Sequence, residues 1–135
     1  VLFRSVGVSN ELRGTVTSCE SGYATLAPSE CGTMPSIRVA ATPEWPVRSA
    51  ATLVLRPERL HLSMDQVQAA DQNSVPGRVE KILYTGSRLQ YVVRLSDAVV
   101  WNVHAFSGSS ARVSFPVGSR VFVSWGFSDG ILLSA

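Results

Sequence analysis

The sequence predicts an all-β protein built from two related modules, and three observations support this prediction. Apolar and polar residues alternate with period two in several segments, of which 89–95 and 121–125 are the clearest. Successive side chains of a strand point to opposite faces, so each segment presents one apolar face. Turn-forming residues separate these segments at short intervals, and two stretches of the chain repeat one another. Short strands with frequent turns are typical of a β-barrel or a β-sandwich.

In chain order, the first half carries weaker strand patterns and the second half stronger ones. The predicted strands cover residues 12–18, 36–41, 51–56, 77–84, 88–95, 99–105 and 120–125. Groups rich in Gly, Ser, Asp or Pro predict turns at 20–22, 85–87, 96–97, 107–110, 116–118 and 128–130. The polar stretch 64–72 lies between the two strand-rich halves and is predicted to be a linker with at most one helical turn.

The two halves of the chain resemble each other. The pattern N-x-[LV]-x-G-x-V occurs at 10–16 and again 63 residues later at 73–79. A second match relates 47–63 to 117–134 at an offset of 70 to 71 residues. A repeat of this length indicates two related β-modules rather than a solenoid, which needs several shorter units. We therefore expect a first module at 1–63, a linker at 64–72 and a second module at 73–135.

The composition is that of a globular chain with few charges. Of the 135 residues, 45% are hydrophobic and 16% charged, which allows a packed core and argues against disorder. The formal net charge is +2, and the basic residues are scattered rather than gathered in the stripe that binds nucleic acid. No apolar run approaches the roughly 20 residues of a membrane helix, and no leader peptide is recognised. The low charge suggests that a partner covers part of the surface, and the absence of an initial Met suggests a piece of a longer protein.

No catalytic motif is found in the sequence. The phosphate-binding pattern G-x-x-x-x-G-K-[ST] and the zinc spacing C-x-x-C do not occur. His61 and His104 fall within strand patterns and are interpreted as surface or hydrogen-bonded strand residues. Cys19 and Cys31 are interpreted as free thiols, although a disulfide between them is possible. We therefore expect no enzyme activity from this chain alone.

Three segments carry a resemblance to a known family. The sequence LVLRPERLHLS at 53–63 resembles the I-R-P-E-x-[IL]-x-L segment in the C-terminal extension of ABC-importer ATPases. The segment 73–95 and the closing segment 115–125 are similar to the TOBE module (transport-associated OB-fold) of the same proteins. The chain thus resembles the C-terminal TOBE regulatory region of a bacterial ABC-importer ATP-binding subunit. The resemblance implies OB-fold-like β-barrel modules, in tandem and possibly sharing strands.

The resemblance also implies a function and partners. The expected role is an accessory and regulatory domain that mediates pairing of the ATPase subunits and regulates import of a polyamine, sugar, iron or sulfate. The expected partners are its own ATPase domain, a second copy, the transmembrane permease subunits, and a regulatory protein or small molecule. ATP and Mg are expected in the parent ATPase domain and no cofactor in this part. The expected location is the cytoplasmic face of the cell membrane. A small-molecule or oxyanion sensor is the main alternative, and an OB-type nucleic-acid binder is a weaker one.

Two sets of residues are candidate contacts. Pro57 is expected to end a strand because it has no N–H to donate. The charged residues Arg56, Glu58 and Arg94 are expected to line a barrel mouth that binds a small anion, although the motifs of the molybdate-binding relatives are not matched.

The second set is aromatic and is the candidate pairing surface. It comprises Phe106, Phe122 and Phe127, with Phe115 also considered. For Phe115 a place in the core is the favoured interpretation.

Overall fold

The computed structural model of the protein describes residues 9–29, 35–40, 45–85, 88–106 and 115–134, with the side chains of 85, 88, 105 and 106 excepted. The first half contains β1 (Asn10–Glu20), β2 (Tyr23–Pro28), β3 (Ile37–Ala40), β4 (Ala50–Leu55), a 3-10 turn (Pro57–Arg59) and β5 (His61–Ser63). The second half contains β6 (Gln72–Thr85), β7 (Arg88–Arg94), β8 (Val100–Phe106), β9 (Arg120–Gly126) and β10 (Gly130–Ser134). Within these ranges, no helix is long and apolar enough to cross a membrane.

The strands form two antiparallel five-stranded sheets that exchange one strand each. The first sheet has the order β10-β4-β1-β2-β3, and the second has the order β5-β9-β6-β7-β8. Strand β10 comes from the end of the chain but pairs with β4, whereas β5 comes from the first half but pairs with β9. The all-β prediction and the strand sharing are therefore confirmed. The division of the chain into modules at 64–72 stays a prediction. Each sheet contains one strand from the other side of that stretch, β10 in the first sheet and β5 in the second.

The repeat seen in the sequence reappears as equivalent hydrogen bonds. Strand β1 is irregular between Val16 and Ser18, and β6 is irregular between Val79 and Lys81. At the first irregularity the N–H of Arg48 donates to the Val16 carbonyl at 2.6 Å, and at the second the N–H of Gly118 donates to the Val79 carbonyl at 2.7 Å. Both donors have positive φ angles, 72° for Arg48 and 92° for Gly118.

Two buried asparagines join the halves, and both come from the repeated N-x-[LV]-x-G-x-V pattern. The Nδ2 of Asn10 donates to the Asn102 carbonyl at 2.8 Å, while the N–H of Asn102 donates to the Asn10 Oδ1 at 2.7 Å. Asn73 makes the same pair of bonds with the backbone of Arg38, at 2.8 and 3.0 Å. Each side-chain amide therefore binds one backbone N–H and one backbone carbonyl of an edge strand in the opposite sheet, as a neighbouring strand would.

The core is continuous between the sheets. Trp101 of β8 and Trp125 of β9 are both buried, and their rings meet edge to face at 5.3 Å. The Nε1–H of Trp101 donates to the Glu11 carbonyl of β1 at 3.0 Å, which links the second sheet to the first. Gly14 in β1 allows a close approach to β2, because a Cβ there would lie 2.5 Å from the Ala27 carbonyl oxygen.

Candidate functional site

The candidate site is an open cleft of about 410 Å³ on the outer face of β4 and β10. Its lining combines aliphatic, hydroxyl and charged side chains: Ser9, Val54, Arg56, Arg59, Ser128, Asp129, Ile131 and Leu133. Strand β4 belongs to the first half of the chain and β10 to the second. The cleft therefore forms only when the exchanged strand β10 is paired with β4.

The aliphatic wall of the cleft follows from strand alternation in β10. Gly130 and Leu132 are buried on the core side, so Ile131 and Leu133 point outward. Ile131 is 63% exposed and Leu133 is 36% exposed. Ile131 lies opposite the half-buried Val54 in the strand pairing, which places branched side chains next to each other on the outer face.

The charged rim of the cleft follows from the end of β4. Pro57 is buried and begins the 3-10 turn, and the N–H of Arg59 donates to the Arg56 carbonyl at 3.0 Å. The turn thus brings two arginines of one short segment to the cleft. Arg59 lies 3.8 Å from Asp129, whose other carboxylate oxygen accepts the N–H of Gly126 at 2.9 Å.

The rim carries an excess of positive charge. Two guanidinium groups, of Arg56 and Arg59, face one carboxylate, of Asp129. Within the described ranges Arg56 makes no ion pair, and the Arg59–Asp129 pair is long and more than half exposed on the arginine side. An exposed pair of this kind is weak and readily rearranges, so both arginines remain available to an anion.

The second sheet provides an internal comparison for this face. His61 and Ser124 are paired there as Ile131 and Val54 are paired in the first sheet, and Ser63 stands where Leu133 stands. These three outer positions are therefore polar in the second sheet and aliphatic in the first, whereas the fourth is Thr52 in the first sheet and Phe122 in the second. The fold itself does not require aliphatic residues at these positions.

The linker between the halves contacts part of the polar face of the second sheet. Ser74 and Ser124 point away from the core but are 8% and 2% exposed. The N–H of Val67, in the linker, donates to the Ser74 Oγ at 3.2 Å. Burial of the Ser74 hydroxyl thus comes with a hydrogen-bonding partner, as the cost of desolvation demands.

The three sequence-predicted charged residues do not all line the cleft. Arg56 lines the cleft, whereas Glu58 lies exposed on the 3-10 turn and is not among the lining residues. Arg94 lies on β7 of the second sheet, where its guanidinium binds the Glu80 carboxylate and donates to the carbonyls of Ser96 and Asp97, both at 3.2 Å.

The Arg94–Glu80 pair changes the titration of both groups. The hydrogen bond from Arg94 and its positive charge hold the pKa of the Glu80 carboxyl below its ordinary value. The same bond raises the pKa of Arg94. Both side chains are over a third exposed, so the pair is a surface contact with little effect on stability.

The candidate aromatic residues are distributed over the molecule. Phe127 is half-buried in the turn after β9, where its ring meets Tyr23 edge to face at 5.6 Å and its carbonyl accepts the N–H of Ala40 at 2.9 Å. Phe122 is half-buried in β9, on the face opposite the core valines. The side chain of Phe106, at the end of β8, lies outside the described residues.

Phe115 has a neighbour in the core. Its ring packs edge to face on the buried Tyr91 at 5.8 Å, and the side chain is half-buried against the core. Its proposed place in the pairing surface and the other aromatic assignments stay predictions.

The cysteines and histidines form no metal cluster within the described ranges. Cys19 is half-buried, and its Sγ accepts the N–H of Trp45 at 3.3 Å. Cys31 lies outside the described residues, so the predicted absence of a disulfide stays a prediction. His61 is exposed in β5 and His104 is half-buried in β8.

Sequence reasoning found Arg56 but missed the aliphatic wall. Ile131, Leu132 and Leu133 form an unbroken apolar run, which does not show which side chains face outward. The signal that distinguishes them is the repeat, because the equivalent run at 61–63 has His and Ser at the outer positions.

Comparison with known proteins identifies a family over more than half of the chain. The sequence model described as TOBE domain matches residues 53–133. The spermidine/putrescine import ATP-binding protein PotA of Chromobacterium violaceum is 30% identical over 132 residues, covering 96% of this chain and 35% of that protein. The PotA of Pseudomonas aeruginosa strain UCBPP-PA14 is 35% identical over 89 residues, covering 64% of this chain and 24% of that protein. The chain thus spans about a third or less of the length of these relatives.

A solved structure has the same fold at low sequence identity. The cytoplasmic molybdate-binding protein ModG, determined with molybdate bound, superposes with a TM-score of 0.80 and 13% identity. The match covers 93% of this chain and 96% of ModG. It extends over both sheets and so supports the assignment of tandem OB-like modules.

Proposed function

The chain belongs to the TOBE domain family, and on this premise we propose that it is a contact and regulatory region of an importer's ATP-binding subunit. In this role it pairs with a second copy and so influences the rate of solute import. The observation that supports the proposal is the outward aliphatic wall of Val54, Ile131 and Leu133, at positions that are polar in the second sheet. Exposed apolar patches with a polar rim are typical of interaction sites.

The parent protein and its partners form part of the proposal. The relatives named above are ATP-binding proteins of spermidine/putrescine import, and this chain corresponds to about a third or less of their length. The described chain is a TOBE domain and not the ATPase domain. ATP, Mg and the permease subunits would therefore meet the ATPase domain, at the cytoplasmic face of the membrane. The transported solute would be of the polyamine, sugar, iron or sulfate class.

The size of the wall limits how strongly it can pair two copies. Stable protein interfaces bury about 1,200–2,000 Å² in total. Three aliphatic side chains and two arginines supply a small part of that area, so the remainder would come from neighbouring surfaces. The half-buried Phe122 and Phe127 are candidates for it. We therefore expect weak pairing of the isolated chain, which becomes stronger in the presence of an ATPase domain.

The pairing is tested by light scattering at increasing protein concentration, with a matched pair of variants. Leu133→Ser removes part of the wall, and Leu83→Ser removes a leucine of similar exposure (40%) on β6. Pairing through the wall predicts that the average mass rises with concentration for the native chain and for Leu83→Ser, but less for Leu133→Ser. A monomeric mass for the native chain at all concentrations, both alone and with its ATPase domain, would contradict the proposal.

A small-molecule site is the second candidate function. The two arginines at the cleft, opposed by one carboxylate, favour it. Their excess positive charge attracts anions and repels polyamines, so a polyamine sensor at this cleft is disfavoured. Calorimetry with sulfate, molybdate, a sugar and putrescine compares the ligand classes. Heat from putrescine but not from the anions would contradict an anion site.

A further inference from the structure

The cleft combines two kinds of surface that a single small ligand can use together. We propose that it binds a small carboxylic acid with an aliphatic tail, with the carboxylate at Arg56 and Arg59 and the tail on Val54, Ile131 and Leu133. This inference rests on the second function above, the small-molecule site. The ligand tail would lie on the same wall as the proposed pairing contact, so ligand binding and pairing would compete for it.

The carboxylate end follows from the charges of the rim. The guanidinium group presents several N–H donors in a plane and binds carboxylates through two parallel hydrogen bonds. Arg56 has no ion-pair partner within the described ranges, and Arg59 has only the long contact to Asp129. One added negative charge balances the three charged groups of the rim.

The aliphatic tail follows from the wall. Ile131 is 63% exposed, so its hydrocarbon surface is in contact with water. Its counterpart in the second sheet is His61, a polar side chain that water solvates without cost. Covering the wall with hydrocarbon removes apolar surface from water, which is favourable in proportion to the area covered. An inorganic oxyanion would bind the rim but leave this wall exposed, so an acid with a tail fits the cleft better.

The size of the cleft sets the size of the ligand. Small-molecule sites have volumes of about 300–1,000 Å³, and this cleft of about 410 Å³ lies near the lower end. An acid of roughly ten non-hydrogen atoms, such as octanoate, is a suitable probe. We expect its dissociation constant to be on the order of a few millimolar.

The test is a series of NMR titrations of the 135-residue chain with butyrate, hexanoate, octanoate and sulfate. The proposal predicts that affinity rises about two- to fourfold with each added methylene group until the wall is covered. It also predicts that Arg56→Gln weakens octanoate binding roughly five- to tenfold, because a charged hydrogen bond is lost. Ile131→Ser should reduce the dependence on tail length. His61→Ser, at the equivalent position of the second sheet, should leave octanoate binding unchanged.

Each alternative occupant gives a distinct result. Equal affinity for butyrate and octanoate, or tighter binding of sulfate, would mean an oxyanion site only and would overturn the proposal. Octanoate binding that Arg56→Gln and Ile131→Ser leave unchanged would place the ligand elsewhere and overturn it as well. An average mass that falls on Ile131→Ser, with no octanoate binding to the native chain, would assign the wall to pairing. In that result the pairing function stands and the ligand proposal fails.

Discussion

Asn10→Ala should destabilise the protein more than its single lost side chain suggests. The Asn10 amide makes two bonds with the backbone of Asn102, at 2.7 and 2.8 Å, and so joins β1 of the first sheet to β8 of the second. Asn10 is 2% exposed and Asn102 is half-buried, so the two backbone groups would face a largely buried position after the amide is removed. Those groups would be left without a partner, which costs more than an ordinary lost hydrogen bond.

The magnitude follows from the two bonds. Each contributes about 0.5–1.5 kcal/mol, and a buried group left unsatisfied costs about 1–3 kcal/mol. Allowing for partial relaxation, we expect Asn10→Ala to reduce the free energy of unfolding by about 2–4 kcal/mol. The equivalent Asn73→Ala should cost less, about 1–2 kcal/mol, because Asn73 is 8% exposed and its partner Arg38 is an exposed residue that water can reach.

Urea unfolding followed by tryptophan fluorescence measures these differences, since Trp101 and Trp125 are buried in the core. The control is Asn102→Ala, which keeps the backbone groups that Asn10 binds and loses only the bond from Gln90 Nε2 to the Asn102 Oδ1, at 2.8 Å. It should cost about 1 kcal/mol. If Asn10→Ala costs no more than Asn102→Ala, the amide does not join the sheets as described.

Three further predictions concern the strand register, a strained turn and a surface ion pair. Gly14→Ala should cost about 1–3 kcal/mol in urea unfolding, because its Cβ would lie 2.5 Å from the Ala27 carbonyl oxygen. Arg48→Gly should stabilise the protein by about 0.5–1 kcal/mol in the same assay, since φ at Arg48 is 72° and glycine adopts this conformation without strain. Arg94→Gln should raise the pKa of Glu80 towards the ordinary value of about 4.3, as measured by NMR titration. The native pair stabilises the fold at pH values above the ordinary pKa of glutamate. Its contribution is lost as the pH falls through the lowered pKa of Glu80.

Each of these predictions has an outcome that contradicts it. Unchanged stability of Gly14→Ala would mean that β1 and β2 can separate at little cost. A loss of stability in Arg48→Gly would contradict the strain argument, for which Gly118→Ala is the reverse control with an expected cost of about 1 kcal/mol. A pKa of Glu80 that does not change in Arg94→Gln would show that another group lowers it.

The sequence predicted the strands whose two faces differ most. The alternation at 88–95, 99–105 and 120–125 corresponds to β7, β8 and β9, because one face of each strand is buried and the other is more exposed, apart from the buried Ser124 of β9. Strand β2 was missed because its six residues, YATLAP, alternate weakly and end in proline. The exchange of β5 and β10 could be suggested only by the family resemblance, because the choice of a pairing partner depends on distant contacts and not on local pattern.

The candidate site was less predictable than the fold. Arg56 was found from the distinctive R-P-E segment and lines the cleft. Arg94, which was grouped with it, pairs with Glu80 of the adjacent strand in the second sheet, and its contact with an anion stays a prediction. The wall residues were missed because a run of three apolar residues does not show which of them face water. A site assembled from residues 54–59 and 128–133 is set by tertiary structure, which the order of residues alone does not give.

The strand exchange connects the site to the folding of the whole chain. Val54 belongs to β4 and Ile131 to β10, so the wall forms only when the last strand of the second half pairs with the first sheet. Asn10 and Asn73 join the two sheets from the same position of each repeat. Any partner that binds the cleft therefore binds the folded chain with β10 in place, and by linkage it stabilises both halves together. A ligand at this cleft would thus change the stability of the second sheet without contacting it.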